Sequence, residues 1–576
     1  MSESPNLLRN FDNFIINQLK ESYKTKSDIT NLKGVSLFHE PFTHCVINDL
    51  VSDSNFVNDL NAEIVAKLKY HEKNNDLYKF HQTKDLGKNK SKHLSQFRDQ
   101  FLYGQFLDFL KQMTDIDLSS TKIDVTSSKY EHTDYLLCHD DNINKDLHGR
   151  RIAFIYYLVP DDWNSDGSDG GNLDLFSVND KLEPIDIVKS LIPKRNSLAF
   201  FEVSDRSFHQ VAEVLAKNKT RLSINGWFHG PVNPKAVRKA EIPQELSSYQ
   251  DVEPDQFFDW ITEKYLKPIN QTGIQMKFSS SSEIKLDKIF HNLKYEQTSK
   301  ELESENIKWI RKGPYNRRNY EIADPESLPD IVKELSKVLT SDFMGLTLSN
   351  MTGLALHASV PKNKPDDDDN DEDDYSDEED EENECENGED DEFESDFESE
   401  VNANDVEPSE NKRKLEQEEE NDGSKPCSSS SLNKKLKSTE SEQEVENTDT
   451  QTNSENVKNI EEPKEYGNPK FHCEVRRWKQ GEYTLITDDD DDIKKEALDL
   501  MLFFGCKNWS INCGGNISYI ARDEDSELLT VNPEENCMAL VYRDTETLRF
   551  TKFVNSELNK INSNGCFYEI YIVYYE

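Results

Sequence analysis

The chain has 576 residues, of which 34% are hydrophobic and 31% are charged, and its formal net charge at pH 7 is −45. This length exceeds one ordinary domain, and the composition means that part of the chain cannot belong to a packed core. The negative charge argues against binding of nucleic-acid phosphates, so no direct nucleic-acid contact is expected. No apolar run approaches the roughly 18 residues of a membrane helix, no secretory signal opens the chain, and the nine cysteines form no C-x-x-C pair. We therefore expect a soluble protein of the nucleus and cytoplasm, with reduced thiols and no membrane association.

The first folded stretch, residues 1–240, begins with helix patterns. A start signal at 52–54 precedes apolar residues at helical spacing, and apolar residues between Phe97 and Met113 recur on one face of a second helix. From about Lys122 the pattern changes to seven or more short segments of strand character, separated by turn residues. Helices followed by short strands predict a mainly β fold with supporting helices, built as an antiparallel double sheet.

Three residues of the predicted strands have the chemistry of a metal site. His139 and Asp141 stand two residues apart in DYLLCHDD, which would place both side chains on one face of a strand. His209 opens a later predicted strand. Two imidazoles and one carboxylate can occupy one face of an octahedral metal and leave the opposite face open, as in non-haem Fe(II) oxygenases. The pattern therefore predicts an iron site.

An arginine at a fixed distance from this site suggests an anion-binding group. Arg221 lies twelve residues after His209, and a turn at 217–219 is expected to bring its strand beside the one that follows His209. Arg221, Ser223 and Asn225 would then share one face of their strand. A guanidinium can hold a carboxylate with two parallel hydrogen bonds. We therefore expect one end of 2-oxoglutarate to chelate the iron and Arg221 to bind the other end.

Each of these features is weak when taken alone. An H-x-D pair is common at protein surfaces, and a single arginine on a strand usually extends into solvent. His132, His148 and His229 compete for the ligand roles, but none has both the strand context and the spacing to the arginine. Ordinary structural roles are therefore expected for these three histidines.

Five segments of the chain resemble one enzyme family. They are KYEHTDYLLCHDD, GRRIAFIYYLVPDDW, DGGNLDLF, SFHQVAEV and RLSINGWFHGP. These segments are similar to the prolyl-hydroxylase branch of the 2-oxoglutarate/Fe(II) oxygenases. More closely, they resemble the eukaryotic ribosomal prolyl hydroxylases, whose fungal members are also described as translation-termination-associated. The resemblance covers nearly the whole chain, including a C-terminal domain with an acidic insert.

The resemblance implies a site, a chemistry and a substrate. Its implied site residues are the iron ligands His139, Asp141 and His209, the 2-oxoglutarate-binding residues Arg221 and Tyr157, and Tyr130, which lines the cosubstrate pocket. It implies Fe(II), 2-oxoglutarate and dioxygen, with ascorbate as reductant. The implied substrate is a prolyl residue of a small-subunit ribosomal protein at the decoding centre. An influence on translation termination and accuracy follows, with termination factors as possible partners.

The second folded stretch, residues 241–361 with 466–576, repeats the pattern of the first. RRWKQGEYTLITDD aligns with SKYEHTDYLLCHDD, and CGGNISYI aligns with DGGNLDLF. The first alignment places Tyr130 over Trp478, His139 over Thr487 and Asp141 over Asp489. An equal count from NSLAFF and NCMALV places His209 over Arg549.

This repetition predicts whether the second copy can bind a metal. Threonine is a poor iron ligand, and an arginine at the third position repels a cation. We therefore expect two double-stranded β-helix, or jelly-roll, domains in tandem, the second without metal ligands and without catalysis. The second domain is expected to pack on the catalytic half, where it either helps to present a protein substrate or only supports the fold.

The segment 362–465 separates the two parts of the second stretch. Between Asp366 and Glu400, 24 of the 35 residues are acidic and none is Lys or Arg. Like-charge repulsion and the scarcity of apolar side chains predict disorder. The clusters at 412–414 and 434–437 resemble a weak bipartite nuclear-import signal.

A second class of function remains open. Two sheet domains with an acidic segment are also compatible with an oxygen-responsive binding or regulatory scaffold that acts through protein–protein contacts without turnover. The intact first triad beside the broken second one favours an enzyme, because a pure scaffold gives no reason to keep one and lose the other.

Overall fold

The chain folds as two β-rich halves. The computed structural model describes residues 12–143, 147–232, 245–361, 468–488, 496–522 and 527–576. The segment predicted to be disordered and its basic clusters lie outside these residues, as does Asp489. Both halves belong to one compact unit. No helix among the described residues is long and apolar enough to cross a membrane.

The described part of the first half contains one 13-stranded antiparallel sheet. Its strands are β1 (Ile29–Leu32), β2 (Val35–Phe38), β3 (His44–Ile47), β4 (His71–Asn74), β5 (Tyr78–Gln82), β6 (Ile123–Tyr130), β7 (Tyr135–His139), β8 (His148–Tyr157), β9 (Leu173–Val178), β10 (Pro184–Leu191), β11 (Leu198–Glu202), β12 (His209–Val211) and β13 (Arg221–Pro231). The spatial order is β1-β2-β3-β11-β8-β13-β6-β5-β7-β12-β9-β10, and β4 pairs with β5.

Strand β5 turns this sheet into a double layer. It pairs with β6 through His81 and Gln82 and with β7 through Tyr78 and Lys79. The sheet therefore folds over at β5, so that β7, β12 and β9 face β6, β13 and β8 across a cavity. The predicted jelly roll is confirmed, but five strands precede the point at which the sequence pattern placed the first one. These early strands have only four or five residues each, and β4 is exposed along its whole length, so each gives too short a pattern to be identified in the sequence.

Helices cover the outer face of the first half. They span Asn13–Thr25, Ser54–Lys67, Lys92–Gln96, Phe97–Phe106 and Leu107–Thr114, and the fourth of these is a π-helix. Asp53 caps the second helix by accepting hydrogen bonds from the N–H groups of Asn55 and Phe56, as the sequence predicted. The predicted phenylalanine face is confirmed, because Phe106 packs against Phe200 and Phe228 of the sheet. Burial of each such ring stabilises the fold by about 1.5–3 kcal/mol.

The described part of the second half contains two sheets. The strands are β14 (Glu283–Asp287), β15 (Trp309–Lys312), β16 (Arg318–Ala323), β17 (Lys470–Lys479), β18 (Tyr483–Thr484), β19 (Ala497–Phe504), β20 (Ile517–Ala521), β21 (Glu527–Val531), β22 (Cys537–Arg543), β23 (Thr547–Thr551) and β24 (Cys566–Tyr575). The α-helices span Pro254–Phe258, Glu263–Leu266, Pro268–Ser281, Asn292–Leu302, Asp330–Leu339, Asp342–Thr352 and Leu558–Ile561. Short 3-10 turns span Pro325–Ser327, Ile486–Asp488 and Ile511–Cys513.

The strand order of the second half repeats that of the first. The run β3-β11-β8-β13-β6-β5 corresponds to β14-β22-β19-β24-β17-β16, and β12-β9-β10 corresponds to β23-β20-β21. The element that turns the sheet is also repeated, because β16 pairs with both β17 and β18 as β5 pairs with β6 and β7. This shared order of long-range pairings confirms the predicted tandem of jelly rolls.

The aligned glycines serve the same purpose in both halves. Gly170 and Gly514 have positive φ angles, 70° and 68°. A Cβ atom on Gly170 would lie 2.1 Å from the carbonyl oxygen of Glu213, and one on Gly514 would lie 1.9 Å from that of Phe553. Each glycine is therefore required by the close approach of a neighbouring segment.

Candidate functional site

The three predicted metal ligands meet at one end of the layer formed by β7, β12 and β9. His139 ends β7, His209 begins β12, and the two residues are cross-strand partners. Their Nε2 atoms lie 3.4 and 3.5 Å from the carboxylate oxygens of Asp141. The ligand atoms of all three residues lie within 4.8 Å of one another, so a single metal ion could contact all of them.

Asp141 reaches this position by a route that the strand pattern did not predict. Strand β7 ends at His139, and Asp141 lies two residues beyond it with a φ of 60°, in the left-handed region. Aspartate tolerates this conformation better than most residues. The indole N–H of Trp227 donates a hydrogen bond to the second carboxylate oxygen of Asp141 at 3.0 Å. The turn and the indole together orient the carboxylate towards the histidines.

Backbone carbonyls set the tautomer of both imidazoles. The Nδ1 atom of His139 lies 2.8 Å from the carbonyl oxygen of Leu137, and that of His209 lies 2.8 Å from the carbonyl oxygen of Ser207. Because a carbonyl only accepts, each Nδ1 carries the proton, and each Nε2 presents a lone pair to the site. This is the usual arrangement of histidines that bind metals.

The electrostatics also suit a cation. Burial lowers the pKa of His209 to about 4, so this imidazole is neutral at pH 7. Burial by itself would raise the pKa of Asp141, but the two histidines and Trp227 hold it well below its usual range. Burial by itself would lower the pKa of His139, but Asp141 and the carbonyl of Leu137 raise it. Because a metal ion coordinates neutral imidazole and ionised carboxylate, it competes with a proton at His139.

Arg221 approaches from the opposite layer of the cavity. Its strand, β13, pairs with β6 and β8, so the prediction that it lies beside the strand of His209 was wrong. The turn after β12 instead carries the chain across to the other layer. The predicted alternation is confirmed, because Arg221, Ser223 and Asn225 line the cavity. The intervening apolar residues pack in the core beneath the helices.

The guanidinium of Arg221 has an unused donor. The residue is 1% exposed. Its Nε donates to the carbonyl oxygen of Gly171 at 2.6 Å, but its Nη2 is buried and has no hydrogen-bond partner among the described residues. A buried charged donor without a partner is costly. A carboxylate in the cavity would satisfy it, so these residues fit 2-oxoglutarate.

Two tyrosines flank this guanidinium. Its central carbon lies 5.0 Å from the ring centre of Tyr130 and 5.1 Å from that of Tyr157. Tyr130 is the cross-strand partner of Arg221. Burial raises the pKa of both phenols, so each hydroxyl stays protonated and can donate. The structure thus brings together all six predicted site residues.

The cavity has a volume of about 580 Å³ and contains residues that sequence reasoning missed. Trp227, which orients Asp141, lies six residues after Arg221 on the same face of β13, so period-two alternation could have identified it. Gly171 has a φ of 65°, and a Cβ atom there would lie 2.8 Å from the Cδ of Arg221. Only glycine leaves room for the arginine at this point.

The competing histidines lie elsewhere. His132 contacts Glu557 at 2.6 Å, and His229 contacts Asp124 at 2.9 Å. His148 begins β8 and is exposed. None belongs to the group of metal-ligand atoms.

The corresponding place in the second half contains a different set of residues. Arg549 pairs with Tyr519 where His209 pairs with Leu175. By the same register, Phe567 pairs with Trp478, at the position of Arg221 and Tyr130. The prediction that Arg549 replaces His209 is therefore confirmed. The side chain of Thr487 and all of Asp489 lie outside the part of the chain that can be described.

A buried ion-pair network occupies this space. Asp499 is fully buried and accepts hydrogen bonds from the hydroxyls of Tyr519 at 3.0 Å and Tyr571 at 2.9 Å. The Nε atoms of Arg543 and Arg549 lie 3.3 and 3.6 Å from the same carboxylate. Arg549, which stands at the position of His209, thus has the carboxylate of Asp499 as an internal partner.

One other group of potential metal ligands occurs among the described residues. It consists of Asp287, Glu534 and Cys537. The group lies where β14 pairs with β22, which corresponds to β3 and β11 of the first half rather than to the triad. Lys285 forms an ion pair with Glu534, so this carboxylate already has a cationic partner.

Comparisons with known proteins agree with this architecture. Residues 125–229 match a family model described as the 2OG-Fe(II) oxygenase superfamily, and residues 253–576 match one described as the oxoglutarate and iron-dependent oxygenase degradation C-term. Prolyl 3-hydroxylase OGFOD1 of Mus musculus is 38% identical over 97% of this chain and 93% of its own length. The Xenopus laevis protein of the same name is 34% identical over 94% of this chain and 90% of its own length. Prolyl 3-hydroxylase sudestada1 of Drosophila melanogaster is 33% identical over 56% of this chain and 60% of its own length. The match extends through both halves, and the chain therefore belongs to the 2-oxoglutarate- and Fe(II)-dependent oxygenases, among the prolyl hydroxylases of that family.

Proposed function

We propose that this chain hydroxylates carbon 3 of a prolyl residue in a protein, with Fe(II) held by His139, Asp141 and His209. One observation carries the proposal: a single cavity contains three convergent metal-ligand atoms and, opposite them, a buried guanidinium with an unused donor. The names of the mouse, frog and fly relatives support carbon 3 as the position.

The bound groups supply the oxidative chemistry. When bound, Fe(II) and 2-oxoglutarate supply the activation of dioxygen, with one oxygen atom entering a prolyl C–H bond and the other entering the succinate that forms from 2-oxoglutarate with loss of CO₂. The residues of the chain supply position and electrostatics. Arg221 would neutralise the distal carboxylate of 2-oxoglutarate, with Tyr157 and Tyr130 as walls and hydroxyl donors.

The surroundings of the triad preserve its geometry. The carbonyls of Leu137 and Ser207 keep the imidazole lone pairs on the metal side, and Trp227 keeps the carboxylate of Asp141 turned towards them. Partners of this kind raise metal affinity because the ligands need not reorient on binding. Arg221 is buried, and burial strengthens the attraction between its guanidinium and an anion.

The substrate proposed here is a small-subunit ribosomal protein at the decoding centre, with an effect on translation termination. The resemblance of the five sequence segments to the ribosomal prolyl hydroxylases supports this choice. The same resemblance supports termination factors as partners and ascorbate as the reductant that keeps iron in the Fe(II) state. The basic clusters at 412–414 and 434–437 support nuclear as well as cytoplasmic localisation.

The test uses small ribosomal subunits from a strain that lacks this protein. Incubation with the purified chain, Fe(II) and 2-oxoglutarate should add oxygen to one prolyl residue, located by mass spectrometry of the ribosomal proteins. Asp141→Ala should abolish the product, whereas Asp140→Asn, the neighbouring acid outside the triad, should retain it. Product formation by Asp141→Ala, or without 2-oxoglutarate, would contradict the proposed chemistry.

The scaffold function can be separated by the same variants. A strain that carries Asp141→Ala in place of the natural chain should have the translation phenotype of the deletion strain. Full rescue by this variant would favour a scaffold that acts without turnover.

A further inference from the structure

The β4–β5 hairpin forms one wall of the catalytic cavity. Lys73 of β4, Leu77 of the turn, and Tyr78, Phe80 and Gln82 of β5 all line the cavity. Strand β4 is exposed along its length and pairs only with β5 among the described strands. Within the first half, the turn is held on its β5 side by the pairing of Tyr78 with β7 and by the N–H of Leu137, which donates a hydrogen bond to the carbonyl oxygen of Leu77 at 2.9 Å.

The second half holds the tip through polar contacts. The ammonium group of Lys552 donates hydrogen bonds to the side-chain oxygen of Asn74 at 2.5 Å and to the carbonyl oxygen of Asn75 at 2.6 Å. The carboxylate of Asp76 is buried and accepts a hydrogen bond from the N–H of Ile486 at 2.9 Å. Three consecutive residues of the turn are thus bound to the second half.

An apolar cluster continues this contact. Leu77 packs against a group of buried side chains to which the first half contributes Tyr135 and Leu137 and the second half contributes Tyr483, Leu485 and Phe553. The ring centres of Tyr135 and Phe553 lie 4.2 Å apart. Tyr135 begins β7, the strand that ends at His139, so the cluster joins the hairpin turn to the strand of an iron-site residue.

The hairpin also contacts the proposed cosubstrate pocket. The ring of Phe80 stacks on that of Tyr130 with their centres 4.7 Å apart, and Tyr130 flanks Arg221. Lys73 and Tyr78 of the same hairpin line the cavity wall. A polypeptide that inserts a proline into the cavity must pass this wall.

We propose that Lys552 of the second half is a positioning residue for the substrate of the first half: it fixes the turn at 74–77, and the fixed hairpin forms one side of the groove that binds the prolyl polypeptide. Lys552 touches neither the triad nor Arg221, and it acts through the hairpin. For the identity of the substrate, this inference rests on the proposed function. It assigns the second half a role in presenting the substrate.

Lys552→Met in the full chain tests this role. Methionine keeps most of the length of the side chain, lacks the ammonium group and so removes both hydrogen bonds. The substrate is the ribosomal protein in which the subunit experiment locates the hydroxyproline. We expect its KM to rise roughly three- to tenfold, the scale of one or two lost charge-assisted hydrogen bonds. Uncoupled 2-oxoglutarate turnover should stay within about twofold of that of the unaltered chain.

Two further variants sharpen the result. Lys552→Arg retains a cationic donor and should recover most of the affinity. Lys285→Met removes a lysine whose ion pair lies wholly within the second half, and it should leave the KM unchanged. Amide hydrogen exchange at residues 71–82 should be faster in Lys552→Met than in either of these two.

The outcomes are separable. Unchanged exchange of the hairpin in Lys552→Met would overturn the anchoring role, and faster exchange with an unchanged KM would overturn the role in substrate binding. Equal losses in uncoupled turnover and in substrate hydroxylation would reduce Lys552 to general support of the fold. If the unaltered chain hydroxylates no ribosomal protein, the proposed function fails, while the exchange measurement still supports or overturns the anchor.

Discussion

The two halves share one strand order but treat buried charge in opposite ways. In the first half, Arg221 is almost fully buried and keeps an unused Nη2 donor beside an open cavity. In the second half, Asp499 is fully buried and is surrounded by two tyrosine hydroxyls and two arginines. The first arrangement requires a ligand, whereas the second is already complete.

The difference shows how the buried charges of a metal site are stabilised after its metal ligands are replaced. A buried charge is tolerated only with a partner, and the partner can be a ligand or another side chain. Once Arg549 stands where His209 stands in the first half, an internal carboxylate becomes the partner that stabilises it. Phe567 stands at the position of Arg221, so that position carries no guanidinium for a cosubstrate. Repacking with internal ion pairs thus preserves the fold while it removes the chemistry.

The largest expected effect comes from breaking the first triad. His209→Ala should reduce 2-oxoglutarate turnover by roughly a hundredfold or more, because a three-residue site that lacks one member loses both affinity and geometry. Iron content of the full chain should fall from one per chain to none, measured anaerobically with 2-oxoglutarate by the visible charge-transfer band. The reciprocal Arg549→His should create no second site. Turnover at the unaltered rate in His209→Ala would remove this residue from the triad.

The next largest effect should appear in the stability of the second half. Asp499→Ala leaves Arg543 and Arg549 buried without their common carboxylate, which should lower the free energy of unfolding by about 3–5 kcal/mol. Chemical denaturation measures this change. Asp259→Ala, at an exposed position, should cost less than about 0.5 kcal/mol. Equal stability of the two variants would show that the network does not hold this half together.

A smaller effect is expected for the cosubstrate. Arg221→Lys keeps the charge but loses the planar fork, so the concentration of 2-oxoglutarate needed for half-maximal turnover should rise on the order of tenfold, with little change for iron. Phe567→Leu, at the matching position of the second half, should leave both requirements unchanged. Identical 2-oxoglutarate dependence of Arg221→Lys and the unaltered chain would exclude the arginine from the pocket.

The smallest effect should follow deletion of residues 366–400. Because the acidic composition of this segment predicts disorder, it should supply no positioned group, and uncoupled 2-oxoglutarate turnover should be unchanged. Binding to basic ribosomal proteins should weaken, and its dependence on salt should decrease, because the removed charges act over long range. Loss of turnover in a folded deletion variant would show that the acidic segment contributes to catalysis together with the two halves.

Features that depend on short-range pattern could be predicted from the sequence. Alternation along β13 correctly placed Arg221 on the cavity face, the start signal at 52–54 correctly predicted the beginning of a helix, and the aligned glycine pairs correctly indicated a second jelly roll. Equal spacing also correctly placed Arg549 over His209. These inferences succeeded because side-chain direction, capping and tight turns depend on neighbouring residues.

Features that depend on pairing between distant segments are visible only in the tertiary structure. The position of β13 across the cavity from His209 and the room that Gly171 makes for the arginine could not be predicted from local pattern. Alternation places Trp227 on the cavity face, but not its contact with Asp141. The left-handed conformation of Asp141 and the hydrogen bonds from Lys552 to the hairpin turn could not be predicted either. Each arises from segments far apart in the chain, whose pairing is selected by the packing of the whole sheet rather than by local preference.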